Sequence, residues 1–150
     1  MPTSAPASIF TRIIRGEIPC EKILEDERFF AFLDIRPIAP GHTLVIPKNQ
    51  TDKLFDLSRA DLEGLLPFAQ RIARALEKAV PCKRVGVIVA GFEVPHAHMH
   101  LVPIQEEGDL SFSNAKPAMK EELASIGAQV RLVITNDELQ IMKRPLTSES

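Results

Sequence analysis

Three histidines separated by single residues, His96, His98 and His100, are the densest concentration of chemistry in the chain, and His42 completes its set of 4. Side chains alternate along a strand with period two. The three imidazoles and Val102 therefore share one face, and Ala97, Met99 and Leu101 share an apolar other face. Three chemistries suit such a row. The rings could be packed, half-buried and hydrogen-bonded. They could hold zinc, which favours imidazole ligands and four-coordination. Or they could work on a phosphate. Imidazole has an unperturbed pKa of about 6.5, so it is largely neutral at pH 7. It can attack phosphorus and leave again while its neighbours donate to phosphate oxygens.

Such a row needs neighbours to hold it. Ile9 to Ile14 predicts a helical turn or two, stopped by Gly16 and Pro19. Ile23–Glu25 and Phe29–Leu33 read as strands joined by the polar turn Asp26–Arg28. Asp34 to Gly41 carries Pro37 and a Pro40–Gly41 pair, a loop signature, and His42–Ile46 is a third strand closed by Pro47. Ser58 with Asp61 three residues on resembles a helix-capping pair. Leu62, Leu65, Leu66, Ala69, Ile72, Ala73 and Leu76 then follow helical spacing and predict one stripe lying on a sheet. Gln70, Arg71, Arg74 and Lys78 fall on its wet side, Pro67 predicts a kink, and Pro81 stops the run. Val85–Gly91 reads as a buried strand, Gly91–Pro95 as a tight connection, and His96–Val102 as a strand ended by Pro103. After a loop over Asp109–Pro117, Met119–Ile126 predicts a helix. Val130–Thr135 and Leu139–Lys143 predict a late hairpin turning at Asn136–Asp137. The order implies an α+β domain, a mostly antiparallel sheet with one long helix packed on it.

Bulk properties bound the function. At 150 residues the chain is one domain long and buries roughly 70% of its unfolded surface. A net charge of -2 offers no basic footprint for nucleic acid, and Trp and Tyr are absent. Cys20 and Cys82 are isolated and read as reduced thiols. The N-terminus lacks the pattern of a signal peptide. The longest apolar run is about ten residues, around Val85 to Val94, too short to span a bilayer. A cytoplasmic protein with no membrane and no nucleic-acid partner is expected. Residues 1–7 are expected as a flexible tail, 8–108 as the main domain, and 109–150 as an extension packed on the domain or a dimer.

Several blocks arrive in a set order: Ser8-Ile9-Phe10, Arg15-Gly16-Glu17-Ile18-Pro19, Ala31-Phe32-Leu33-Asp34-Ile35 with Pro37, Pro40-Gly41-His42-Thr43-Leu44-Val45-Ile46-Pro47-Lys48, and His96-Ala97-His98-Met99-His100-Leu101-Val102. Across roughly residues 8–104 the chain resembles the histidine triad (HIT) family. The resemblance implies a HIT-like α+β fold and a homodimer with two sheets joined across a two-fold axis. It implies cleavage of nucleoside monophosphate conjugates, phosphoramidates or dinucleoside polyphosphates, at the α-phosphate. His98 would be the nucleophile forming a nucleotidyl-histidine. His96 and His100 would flank the phosphate and orient or donate to its oxygens, and His42 would be the separate upstream histidine. Asp34 would hold the ribose hydroxyls, with Phe10, Ile13, Ile18, Phe32 and Ile35 lining a purine slot.

Departures from the family pattern carry their own expectations. Cysteines that some members place at Ser8 and Thr11, and a histidine at Gln50, are missing, so no structural zinc is expected. No metal is required by the covalent route, although Mg²⁺ can accompany a polyphosphate. Glu93 stands near where other members place a hydroxyl donor. A carboxylate there repels phosphate or meets a cationic substrate amine. It keeps open the alternative of a nucleotide-binding regulatory protein with weak or no turnover. Histidine rather than glutamine at position 100 favours the hydrolase branch.

Overall fold

A computed structural model describes residues 5–143; residues 1–4 of the expected tail and 144–150 of the expected extension lie outside them. The chain forms α1 (Ile9–Ile14), β1 (Lys22–Glu25), β2 (Phe29–Leu33), β3 (Thr43–Pro47), α2 (Arg59–Ala79), β4 (Arg84–Ile88), β5 (Met99–Ile104) and α3 (Lys120–Lys143), with short 3₁₀ turns at 54–56, 107–109 and 112–114. The strands make one antiparallel sheet in the order β1-β2-β3-β5-β4.

Both faces of this sheet are covered, which explains why β2, Phe-Phe-Ala-Phe-Leu, is buried along its whole length. Phe29, Ala31 and Leu33 enter the main core with Val45, Met99 and Leu101, beneath Leu65, Phe68, Ile72 and Leu76 of α2. Phe30 and Phe32 point the opposite way, to Leu44, Ile46 and Phe10 of α1. The histidines sit on this second side.

The expected cap is present: the Asp61 amide donates to Ser58 Oγ at 3.1 Å. The stripe on α2 is rotated from the expected one. Phe68 and Ala75 are buried with Leu65, Ala69, Ile72 and Leu76, whereas Ala73 is half-buried and Leu62 and Leu66 are exposed, Leu66 at 65%. The apolar surface of the helix is wider than the sheet can cover, and the large ring of Phe68, which stacks on Phe29, sets the rotation. Pro67 leaves α2 unbroken, because the carbonyl that loses its donor is that of Glu63, on the exposed side.

Three expectations about strands and the tail of the chain are corrected. β4 is an edge strand and is only half-buried, with Val87 49% exposed, because among the described residues its outer edge has no partner strand. β5 begins at Met99, not His96: the His96 amide turns back to Val94 O and the Ala97 amide is taken by Thr51 O. It also runs through Pro103. β3 starts opposite Leu101, so Pro103 is paired only with β4 and its missing N–H costs no bond to β3. Finally, α3 replaces the short helix and late hairpin. Asn136 and Asp137 are good turn residues, but Val130 and Ile134 on one helical face reach the main core. Lys78 pairs with Asp137, Arg71 with Glu138, and Arg131 with Glu21, which seats α3 on α2 and β1.

Gly41 links fold to site. It has φ of +94° immediately before His42, and a Cβ there would lie 3.1 Å from Pro103 Cγ and from Val80 Cγ2. Gly41→Ala should therefore lower stability by about 2 kcal/mol or more, from left-handed strain plus overpacking. Urea unfolding checks this; an unchanged midpoint would mean the turn relaxes freely.

Candidate active site

Three buried imidazoles, His98, His100 and His42, form a continuous line, and Phe10 bridges His98 to the fourth, His96. His98 and His100 have ring centroids 5.0 Å apart, and His100 and His42 5.1 Å apart. Phe10 presses an edge on His98 at 5.0 Å and on His96 at 5.8 Å. α1 places Phe10, and Ser8 caps α1 by accepting the Thr11 amide. Phe112 closes the far end, 4.9 Å from His100.

The protons can be assigned because each ring has a partner of fixed polarity. The Ile38 amide donates to His42 Nδ1 at 2.9 Å, so the proton of neutral His42 sits on Nε2. His42 Nε2 then donates to His100 Nδ1 at 2.9 Å, which puts the proton of neutral His100 on its own Nε2. His98 Nδ1 donates to the His96 carbonyl at 2.7 Å, leaving Nε2 of neutral His98 with a lone pair. His96 Nε2 donates to Pro47 O at 2.7 Å, and its Nδ1 lies 2.7 Å from Ser8 Oγ. Both ring nitrogens of His96 are thus engaged inside the protein. The expected donation from His96 to a phosphate oxygen has no free N–H to make it, because its donor goes to the backbone.

Burial enforces neutrality. It pushes His42 down to about 4, against a smaller opposing pull from Glu93, and His100 down to about 3, where His42 and His98 add repulsion. Burial also lowers His96. Asp34 moves up, because desolvation outweighs the Arg36 amide that donates to its Oδ1. Its Oδ2 lies 3.6 Å from His42 Nε2. Ligand atoms of Asp34, His42 and His100 lie within 4.8 Å of one another. The two histidine nitrogens there share a proton along a 2.9 Å line, which a metal would have to displace.

Of the expected slot residues, Phe10 and Phe32 touch edge to face and Ile13 packs against them. Ile18 is half-buried outside that cluster, and Ile35 is 68% exposed. Glu93 is exposed on the loop after β4, beside Phe92, which is 95% exposed. A cavity of about 320 Å³ adjoins His98, with Lys53, Phe55, Val89 and Gly91 among its lining. Sequence reading did not find Phe112. It reaches His100 because the Lys116 and Ala118 amides bond the carbonyls of Pro37 and Ile35, tying the 112–118 segment to the Asp34 loop; no local pattern encodes that.

The family model of the HIT domain matches residues 15–107. The chain belongs to the HIT family. It is 40% identical over 110 residues to adenosine 5'-monophosphoramidase HNT1 of Saccharomyces cerevisiae, covering 69% of this chain and 70% of that protein. It is 35% identical over 126 residues to the corresponding enzyme of Schizosaccharomyces pombe, covering 81% and 94%. A histidine triad nucleotide-binding protein from Sulfolobus tokodaii superposes with a TM-score of 0.80 at 27% identity, over 92% of this chain and 99% of that one. A zinc-bound histidine triad family protein from Mycobacterium smegmatis gives 0.76 at 31% identity, over 88% and 96%. The HIT-like α+β fold is therefore established, with a second long helix, α3, where a hairpin was expected.

The depressed histidines make stability pH-dependent. The unfolded chain binds these protons near pH 6.5 and the folded chain only near 4, so stability is full above about 6.5 and is lost as pH falls towards 4. The loss for His42 is at most about 1.4 kcal/mol per pH unit. Urea midpoints between pH 7.5 and 4.5 should fall on the acid side, with a shallower slope in His42→Asn. A flat profile would mean these rings are charged or solvated.

Proposed function

We propose that this HIT protein hydrolyses purine nucleoside 5'-phosphoramidates, with dinucleoside polyphosphates as the wider substrate class, through a covalent nucleotidyl-His98. The observation that carries this is the pair of fixed tautomers: an unprotonated Nε2 on His98 beside a protonated Nε2 on His100. The names of the two yeast relatives support a phosphoramidate as substrate.

In the first step His98 Nε2 bonds to the α-phosphorus while the bond to the leaving amine or phosphate breaks. The leaving group departs with a proton from solvent. His100 Nε2–H donates to a phosphate oxygen as charge builds there, and His42 holds that tautomer from behind. In the second step water adds its hydroxyl to phosphorus, gives its other proton to solvent, and frees the neutral ring with a nucleoside monophosphate. Splitting one displacement into two avoids direct attack by a weak nucleophile. Asp34, half-buried beside His42, is assigned to the ribose hydroxyls. Phe10, Phe32 and Ile13 are assigned to the base. Mg²⁺ enters only as the counterion of a polyphosphate substrate.

The same reading pairs two copies along the free edge of β4. Exposed Val87 and Leu66 line one apolar groove with Pro67, Ala73 and Met99, and a two-fold pairing of edge strands buries both. The free thiols of Cys20 and Cys82 suit a cytoplasmic setting. Among the described residues, no helix is long and apolar enough to cross a membrane.

One observation favours a second reading, a nucleotide-binding regulator with little turnover: the exposed carboxylate of Glu93 is felt electrostatically at His42 and opposes phosphate. Rapid mixing with an adenosine phosphoramidate bearing a fluorescent amine decides between them. The wild type should show a burst and a single added nucleotidyl group by mass spectrometry. In His98→Ala both should vanish, with turnover down by about three orders of magnitude or more. Nucleotide binding without burst or turnover would establish the regulator. Activity abolished by a chelator and restored by metal would reject the metal-free route.

A further inference from the structure

We infer that Ser8, Thr11 and Gln50 are positioning residues for His98, acting through His96; the kinetic part of this inference rests on the nucleophile reading above. The four side chains form one closed knot of hydrogen bonds at the start of α1. Its geometry assigns every proton. Pro47 O can only accept, so His96 Nε2 is the donor at 2.7 Å and His96 Nδ1 is the acceptor. Ser8 must therefore donate its hydroxyl proton to Nδ1 at 2.7 Å, while its oxygen accepts the Thr11 amide at 3.0 Å. Gln50 Oε1 accepts twice, from the Ser8 amide and from the Thr11 hydroxyl, both at 2.7 Å. The Thr11 hydroxyl is spent there and sits 3.4 Å from His96 Nδ1, leaving Ser8 as the ring's donor. Gln50 Nε2 closes the knot on Pro6 O at 2.9 Å.

The knot reaches the nucleophile by two routes. The first is backbone: the His96 carbonyl is the acceptor for His98 Nδ1–H, and that bond decides which nitrogen of His98 keeps a lone pair. A His96 ring pinned at both nitrogens holds its own peptide in place. Thr51, next to Gln50, pins the following peptide through the Ala97 amide at 2.7 Å. The second route is packing: the same knot anchors α1, and α1 carries Phe10 against both rings. His96 and Ser8 are both buried. Without the Ser8 hydroxyl, Nδ1 of His96 would be a buried acceptor with no donor. It would be relieved by ring rotation or by protonation. Rotation moves the carbonyl that aims His98; protonation sets a positive charge beside the attacking ring. Either lowers the rate of the chemical step, and KM stays close to that of the wild type as long as α1, which carries Phe10 and Ile13 of the base slot, keeps its seat on β2 and β3.

The test compares wild type, Ser8→Ala, Ser8→Thr and Gln50→Leu by steady-state kinetics on an adenosine phosphoramidate and by ¹⁵N-resolved NMR of the imidazole nitrogens. Ser8→Ala should lower kcat between about 10- and 100-fold while KM stays within about twofold. The Nδ1 and Nε2 resonances of His98 should shift with it. Ser8→Thr, which keeps the hydroxyl, should restore both. Gln50→Leu, which does not touch His96, should move both in the same direction and serves if Ser8→Ala folds poorly. A lowered thermal midpoint with kcat and the His98 resonances unchanged would overturn the inference, reducing the knot to a clip for α1. If the wild type has no turnover, the hydrolase reading fails. The His98 resonances then decide alone: a shift in Ser8→Ala sustains the positioning role, and no shift overturns it.

Discussion

Four imidazoles packed in a dry cluster cannot charge independently, and the molecule is organised around that constraint. A positive charge on His42, His96 or His100 would be desolvated, and on His96 or His100 it would be repelled by neighbouring rings as well. Those three rings therefore stay neutral, and a neutral imidazole has one donor and one acceptor whose order must be chosen. The choice is made by groups that have none. The Ile38 amide can only donate, and the carbonyls of Pro47 and His96 can only accept. Backbone, which never titrates here, thus writes the protonation state of the side chains.

This gives the surrounding fold a specific task. The loop from Asp34 to Gly41 must bring Ile38 N–H under His42, and a left-handed glycine at 41 makes that return possible. β3 must present His42 and Pro47 at its two ends, one facing each half of the histidine line. The antiparallel pairing of Leu44 with His100 fixes the offset between them. A slip of one residue would turn the His100 ring to the helix side of the sheet.

Much of this was legible in the sequence, and what was not has a physical pattern. The short apolar runs Phe29–Leu33 and His42–Ile46, bounded by a polar turn and by Pro47, the Ser58 cap and the clustering of histidines are local signals and correspond to observed elements. His98, His100 and His42, singled out by type and spacing, lie side by side in the structure. Misreadings arose where a distant contact overrides a local preference. Asn136–Asp137 has turn chemistry, yet Lys78 and a core face for Val130 and Ile134 make it helix. His96 alternates like its neighbours, yet its amide and that of Ala97 are taken by Val94 and Thr51, so the strand starts later. Its ring is spent on Ser8 and Pro47, 88 and 49 residues away. Leu66 has the spacing of a core residue, and only the bulk of Phe68 reveals that the helix is turned away from it.

The site also draws on both ends of the chain. Ser8 meets His96, Phe112 meets His100, and Glu21 is joined to Arg131 across 110 residues. Contacts of such sequence separation carry the largest loop-closure entropy and form late. During synthesis, the strands β1 to β3 can pair while the histidine strand is still unmade. The first histidine then lacks His100 as the partner of its Nε2, and α1, which can already pack Phe10 on β2 and β3, still lacks His96 and His98. A chain still on the ribosome is in this sense chemically silent. Its pocket is complete only once the segment bearing His96 to His100 and the turn bearing Phe112 have both been made.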